Sequence, residues 1–135
     1  MIEVTDKPIR PELVVDKVKT DSSGCVLVYI GLIRELSRGK LVLSVEYRDV
    51  KGTAEKRLGE IASEVSQKWQ LDNIAICHRI GRLKVGDINL VIAVASGHRQ
   101  EGFAACQHAI DRFKQVMPTH KTETYQDGTI WVEGE

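Results

Sequence analysis

Four basic residues, His98, Arg99, Lys114 and Lys121, fall at the boundaries of predicted elements rather than along an ordinary solvated face. His98 and Arg99 follow the apolar run 89–95 and its Ser96-Gly97 exit, so they stand at the end of a strand. Lys114 falls near the end of the helical pattern that comes next, and Lys121 lies three residues beyond Pro118. Cations at a strand end and at both ends of the following helix suit an anionic ligand. Arginine presents a planar fork to phosphate oxygens. A helix that starts after Gly97 adds backbone N–H groups and a positive dipole end. A lysine crowded by other cations holds its proton less tightly, because like charges disfavour the ammonium form, and it can then serve as acid or base near neutral pH. One lysine alone is ordinarily a solvated surface residue; the grouping makes these worth following.

Composition narrows the classes of function. At 135 residues the chain has the length of one domain, read as 1–135, with enough residues for a sizeable core. Its 42% apolar and 28% charged content is that of an ordinary globular protein. Nineteen Lys and Arg balance nineteen Asp and Glu, which argues against a general nucleic-acid binder but leaves room for a local basic pocket. The first residues carry early acids and no apolar core of a secretory signal. The longest apolar run, residues 25–33, is too short to span a bilayer. Cys25, Cys77 and Cys106 are odd in number and widely spaced, so they read as reduced thiols of a cytoplasmic protein. His78, His108 and His120 share no ligand spacing with a carboxylate or thiol, Ser96 has no matched acid and base, and no Walker or dinucleotide glycine fingerprint is present. No metal and no cofactor is therefore expected.

The elements that must position these residues can be read along the chain. Residues 2–5 alternate as a short strand, and Pro11 opens a helix with Leu13, Val14, Val15 and Val18 on one face. After a turn at 21–24, residues 25–33 predict a buried strand, 34–40 a polar loop and 41–47 another strand. Thr53 is placed to cap a helix whose apolar face runs from Ala54 through Leu58, Ile61, Ala62 and Val65 to Trp69. A strand at 73–78, a glycine-bearing turn and a long apolar strand at 88–95 come next. Phe103, Cys106, Gln107, Ile110, Phe113 and Met117 mark a further amphipathic helix, which Pro118 stops. Residues 119–125 and 129–132 predict a hairpin across Gln126-Asp127-Gly128. Strands outnumber helices and hairpins interrupt them, so the fold class is α+β with a mixed, mainly antiparallel sheet.

Several segments together resemble the large, catalytic subunit family of molybdopterin synthase. They are Gly31-Leu32-Ile33-Arg34, Val45-Glu46-Tyr47, His78-Arg79-Ile80-Gly81 with Leu83 and Gly86-Asp87, and Ser96-Gly97-His98-Arg99 with Gly102-Phe103. Ile110-Asp111 with Lys114, Pro118 with Lys121 and Glu123, and Trp131-Val132-Glu133 complete the set. The resemblance runs from about residue 24 to 133, and it implies an α/β-hammerhead fold. It also implies sulfur transfer to cyclic pyranopterin monophosphate, making the dithiolene of molybdopterin for molybdenum cofactor biosynthesis. The implied sulfur donor is a small ubiquitin-like subunit with a thiocarboxylate on its C-terminal Gly-Gly. The implied assembly is a homodimer core of a heterotetramer, buried through sheet-edge and hairpin surface to which strand 88–95 and the terminal hairpin can contribute.

Carried onto this chain, the resemblance makes Lys114 and Lys121 the catalytic lysines. Arg34, His98 and Arg99 become substrate contacts, the His-Arg pair reaching the neighbouring subunit's pocket, and Tyr29 with Arg34 meets the incoming tail. Lys114 continues the Gln107–Ile110 stripe, so its stem can lie on apolar surface while its amine reaches a cleft, and it is the first candidate for proton transfer. Lys121 is assigned to substrate contact and stabilisation of developing charge. Three departures from the family pattern stand out: His120 where an aromatic is frequent, Gly134-Glu135 where an arginine often follows, and no asparagine in the loop 35–40. The rival reading is a non-catalytic module that binds an anionic pterin or a ubiquitin-like Gly-Gly tail.

Overall fold

In a computed structural model of the chain, residues 1–116 and 118–133 are described. They form three helices and nine strands in two sheets. The first sheet has the order β1-β5-β7-β2, from β1 (Ile2–Thr5), β5 (Asn73–Arg79), β7 (Ile88–Ser96) and β2 (Cys25–Leu32). Only β1 and β5 run parallel within it. The second sheet has the order β3-β4-β8-β9, with β6 (Gly81–Leu83) also paired to β4. Its other members are β3 (Leu36–Ser37), β4 (Lys40–Arg48), β8 (His120–Tyr125) and β9 (Ile130–Glu133), and its pairings are antiparallel. The architecture is α+β and mainly antiparallel, as expected, but it is divided between two sheets.

The central strand β7 explains the layering. Its alternate side chains Leu90, Ile92 and Val94 join one core cluster, and Val91, Ala93 and Ala95 join another. A strand buried on both faces needs cover on both sides. On one side lie α2 (Ala54–Lys68) and α3 (Arg99–Val116), through Leu58, Ile61, Val65, Ala105, Cys106, Ala109 and Phe113. On the other lies α1 (Pro11–Val18), where Val14 and Val18 rest on the small side chains Ala75, Ala93 and Ala95. Pro11 starts α1, where a missing N–H costs nothing. Thr53 occupies the cap position of α2, but its side chain makes no capping bond; the Asp49 carboxylate accepts from the Ala54 N–H instead, at 3.2 Å.

Four local readings change. Residues 25–32 form a strand, but an edge strand: Val28, Ile30 and Leu32 are exposed along one face. Phe103 points away from the core that the rest of its helix builds; Gly102, Ala105 and Ala109 make the close contact. Within the expected loop 34–40, β3 and β4 meet in a two-residue turn at Arg38 (φ 54°) and Gly39 (φ 76°). Two left-handed residues match the twist of a hairpin, at a cost of about 1 kcal/mol for the non-glycine one. Strand β7 is buried from Leu90 to Ser96 and half-buried at Ile88 and Asn89, so it offers little of the contact surface expected of 88–95, whereas Ile130 and Val132 of the terminal hairpin are exposed. Met117, expected on the α3 stripe, and Gly134-Glu135 lie outside the described residues.

The approach of β2 to the end of β7 sets where α3 begins. The Gly24 N–H donates to the Ser96 carbonyl at 2.9 Å, and a Cβ on Gly24 would stand 2.2 Å from the Gly97 carbonyl oxygen. Backbone cannot yield there as a side-chain tip can. Gly24→Ala should therefore destabilise the fold by about 1–3 kcal/mol, as overpacking does, seen as a melting temperature several degrees lower. An unchanged melt would mean that the junction accommodates a methyl group.

Candidate functional site

The two sheets meet around a cavity of about 340 Å³, within the range of small-molecule sites. The first sheet supplies Tyr29, Gly31, Asn89 and Leu90; the second supplies Val45, Tyr47, Lys121 and Glu123. Phe113 and Lys114 enter from the end of α3, Ile33 and Arg34 from the segment that joins the sheets, and Ser37 from β3 of the second sheet.

Its floor is built around His78, which is fully buried. The ring Nδ1 lies 2.8 Å from the Asn89 carbonyl and Nε2 lies 2.9 Å from the Thr119 hydroxyl. A carbonyl only accepts, so Nδ1 carries the proton and Nε2 accepts from Thr119. Burial pulls the imidazole pKa below the usual histidine value, against the smaller upward pull of the Asn89 bond. The neutral ring is flanked edge-on by Tyr47 and Phe113, at 5.0 and 5.1 Å between centroids. The Asn89 amide donates to the Tyr47 hydroxyl at 3.1 Å. Burial pushes that phenol up to about 12, only partly offset by this bond, so it stays a neutral donor. A Cβ on Gly31 would come within 2.9 Å of Asn89 Oδ1 and 3.3 Å of the Tyr29 ring, so glycine leaves these two side chains their place.

Charge enters through the cavity walls. Lys121 and Glu123 project from the same face of β8, two residues apart, as does buried Tyr125. Glu123 is 4% exposed. Its Oε1 accepts from Ser37 at 2.8 Å and Tyr125 at 2.7 Å, and its Oε2 faces Lys121 Nζ at 3.5 Å. Burial alone would raise its pKa; the two hydroxyl bonds and the lysine outweigh that and hold the carboxyl below the ordinary range. In the sequence Glu123 stands in the segment Pro118 to Glu123 with no assigned role. Its signal is phase: it shares the odd-numbered face with Lys121 and Tyr125.

Three of the expected basic residues, Arg34, Lys114 and Lys121, line one cavity, with Tyr29 beside them. Arg34 and Lys114 are exposed at its rim, and the Lys121 side chain is 27% exposed. His98 and Arg99 do not line it. They are exposed at the start of α3, and Arg99 is fifteen residues before Lys114, roughly 22 Å along a helix. Within one chain the cations around Lys114 are therefore Arg34 and Lys121 without Arg99. Cys25, Cys77 and Cys106 are free and none lines the cavity; burial raises the Cys77 thiol to about 11 and shifts Cys106 upward.

The cavity of this α+β domain thus combines an aromatic floor with three cations and one ionised carboxylate. The chain belongs to the family described as MoaE protein, which it matches over residues 4–116. It is 38% identical over 129 residues to the molybdopterin synthase catalytic subunit of Halalkalibacterium halodurans, spanning 96% of this chain and 83% of that one. It is 38% identical over 130 residues to the subunit of the same description from Bacillus subtilis, with the same coverage. The crystal structure of molybdopterin synthase from Staphylococcus aureus superposes with a TM-score of 0.91 at 34% identity, covering 99% of this chain and 97% of that one. A complex of subunits 1 and 2 of molybdopterin-converting factor from Helicobacter pylori shares the fold at 10% identity, with a TM-score of 0.75 over 93% of this chain and 85% of that one. The chain is an enzyme of the molybdopterin synthase type. No helix among the described residues is long and apolar enough to cross a membrane.

Glu123→Gln keeps the shape of the wall and removes its charge. Loss of charge-assisted bonds to a buried acceptor costs about 1.5–3 kcal/mol, so the variant should melt several degrees lower at pH 7. A carboxyl with a lowered folded-state pKa contributes fully above its unfolded pKa, and that contribution is lost as pH falls through the folded value. The glutamine variant should therefore lose less stability than wild type on acidification below about 4.5. Equal melting at pH 7 would contradict the ionised, bonded carboxylate.

Proposed function

We propose that this chain transfers sulfur from a thiocarboxylated ubiquitin-like small subunit to cyclic pyranopterin monophosphate, forming the dithiolene of molybdopterin in the cytoplasm. The observation that carries this reading is the meeting of Arg34, Lys114 and Lys121 around one cavity with an aromatic floor. The substrate joins a flat heterocycle to a phosphate. The floor of Tyr47 and Phe113 suits the ring, and the rim cations suit the phosphate. An external sulfur donor fits the placement of the chain's thiols: Cys25, Cys77 and Cys106 lie away from the cavity, and burial raises the pKa of Cys77 and Cys106.

Each residue then has a role. Arg34 binds the phosphate and, with Tyr29, receives the partner's Gly-Gly tail, whose glycines permit close backbone approach. Lys114 moves the proton as the substrate's oxygen substituent leaves as water, and a second water cleaves the acyl–sulfur bond so that the partner's tail departs as a carboxylate. Lys121, oriented by Glu123, stabilises the charge that develops. His98 and Arg99 serve the cavity of a second copy: the active assembly is a homodimer with one small subunit bound by each chain, and the exposed Ile130 and Val132 face contributes to the dimer contact.

The test is a reconstituted reaction with the cyclic substrate and thiocarboxylated partner, read out as molybdopterin. Lys114→Ala should lose about 10²–10⁴ in rate, the range for removing an acid–base group. Lys114→Arg should recover little, because arginine keeps its proton. Lys121→Arg should recover part of what Lys121→Ala loses. Mixing Arg99→Ala and Lys114→Ala chains should restore activity above either alone, since a mixed dimer holds one complete shared site. Near-wild-type turnover of Lys114→Ala would overturn its role, and absence of complementation would overturn the shared site.

A further inference from the structure

We propose that Arg38 and Trp131 are positioning residues: their stack, with the Ser37–Glu123 hydrogen bond, straps the β3–β4 hairpin to the β8–β9 hairpin and so fixes Arg34 for an anionic ligand. The inference rests on Arg34 being an anion contact of the cavity, as proposed above.

Arg34 stands on a short span between two anchors. Upstream, the Ile33 N–H donates to the Asp87 carbonyl at 2.9 Å, and the Ile33 carbonyl accepts from Gly86 at 2.8 Å. Downstream, the Glu35 carbonyl accepts from the Val42 N–H at 2.8 Å, and Leu36 and Ser37 pair with Leu41 and Lys40. The upstream anchor belongs to the turn before β7. The downstream one is a two-residue strand, too short to hold its own place by pairing alone.

Side chains supply what the short strand lacks, and their contacts end on the hairpin that carries Lys121. Ser37 donates to Glu123 on β8 at 2.8 Å. Lys40 Nζ donates to Thr129 Oγ1 at 2.8 Å and lies 3.2 Å from Asp127. The Arg38 guanidinium carbon lies 3.3 Å from the centroid of the Trp131 ring. Trp131 pairs in register with Glu123, and Lys121 Nζ is 6.0 Å from the same ring. One indole thus connects the strap to the strand bearing the buried carboxylate and the lysine.

The backbone gives independent support. Among the described residues Arg38 is the non-glycine residue with positive φ, at a turn position that favours Asn, Asp or Gly. A residue kept in a disfavoured conformation points to a requirement on its side chain. The contact that its side chain makes here is the stack on Trp131.

The full chain can be tested with inorganic phosphate as the probe, its affinity measured by calorimetry for Arg38→Gly, Trp131→Leu, the double variant and Arg34→Ala. Glycine suits the left-handed turn, so Arg38→Gly should melt at or above the wild-type temperature. It should nevertheless bind phosphate about fivefold more weakly, the scale of losing a cation–π contact. Trp131→Leu should match it, and the double variant should be no worse than either, because both remove one interaction. In the reconstituted reaction Arg38→Gly should raise KM for the cyclic substrate with little change in kcat. Wild-type phosphate affinity in Arg38→Gly would overturn the proposal. So would retained affinity in Trp131→Leu alone, which would make Arg38 a direct contact instead. Arg34→Ala should abolish phosphate binding, and a wild-type chain that binds no phosphate would also defeat the strap's role. Phosphate binding without molybdopterin formation would defeat only the sulfur-transfer reading.

Discussion

The fold depends on holding two sheets together around a polar cavity, and His78 stands at the centre of that constraint. It belongs to β5 of the first sheet, bonds Asn89 on the adjacent strand, accepts from Thr119 just before β8, and packs edge-on against Tyr47 of β4 and Phe113 of α3. A hydrocarbon could fill the same volume but would forfeit the bonds that the ring makes to the Thr119 hydroxyl and the Asn89 carbonyl. A protonated imidazole would be a charge deep in the protein, and it could not accept from Thr119. Neutral histidine satisfies both neighbours. It thereby ties the end of α3, with Lys114, to the strand with Lys121.

The cavity walls apply the same economy to charge. Three cations around an empty wall would repel one another. Glu123 lies behind Lys121 as a fixed counter-charge, its remaining acceptor capacity taken up by Ser37 and Tyr125. Because the carboxylate is nearly inaccessible while the lysine is partly exposed, the lysine is oriented without being covered. Tyr47, kept neutral by burial and bonded to Asn89, adds a fixed hydroxyl to the floor. Of the polar groups facing the cavity, Lys121 and Tyr47 are thus held by neighbours, whereas Arg34 and Lys114 stand exposed at the rim.

Much of this was legible in the sequence, for identifiable reasons. The helical period 107–110–114 brought Lys114 to the cavity end of α3, and Pro118 ended that helix in time for Lys121 to enter on a strand. The terminal hairpin followed from Asp127-Gly128, and the glycine does adopt a left-handed φ of 89°. What escaped depended on partners distant in sequence. An apolar run such as 25–32 looks the same in a central strand and an edge strand, and only its single neighbour, β7, makes it an edge. The Arg38-Gly39 turn has glycine at one of its two left-handed positions, so it reads as a loop until Trp131 is seen beneath the arginine. Glu123 in an alternating strand reads as solvent-facing unless its phase is matched to Tyr125. His98 and Arg99 bracket the same helix as Lys114 in sequence, but α3 is long enough to hold its two ends apart.

The most direct measurement is a crystal structure of the chain with cyclic pyranopterin monophosphate bound. The account predicts the phosphate within hydrogen-bond reach of Arg34, the heterocycle against Tyr47 and Phe113, and the Lys114 amine facing the carbons that receive sulfur. Substrate bound elsewhere, with the cavity between the two sheets left to solvent, would contradict it.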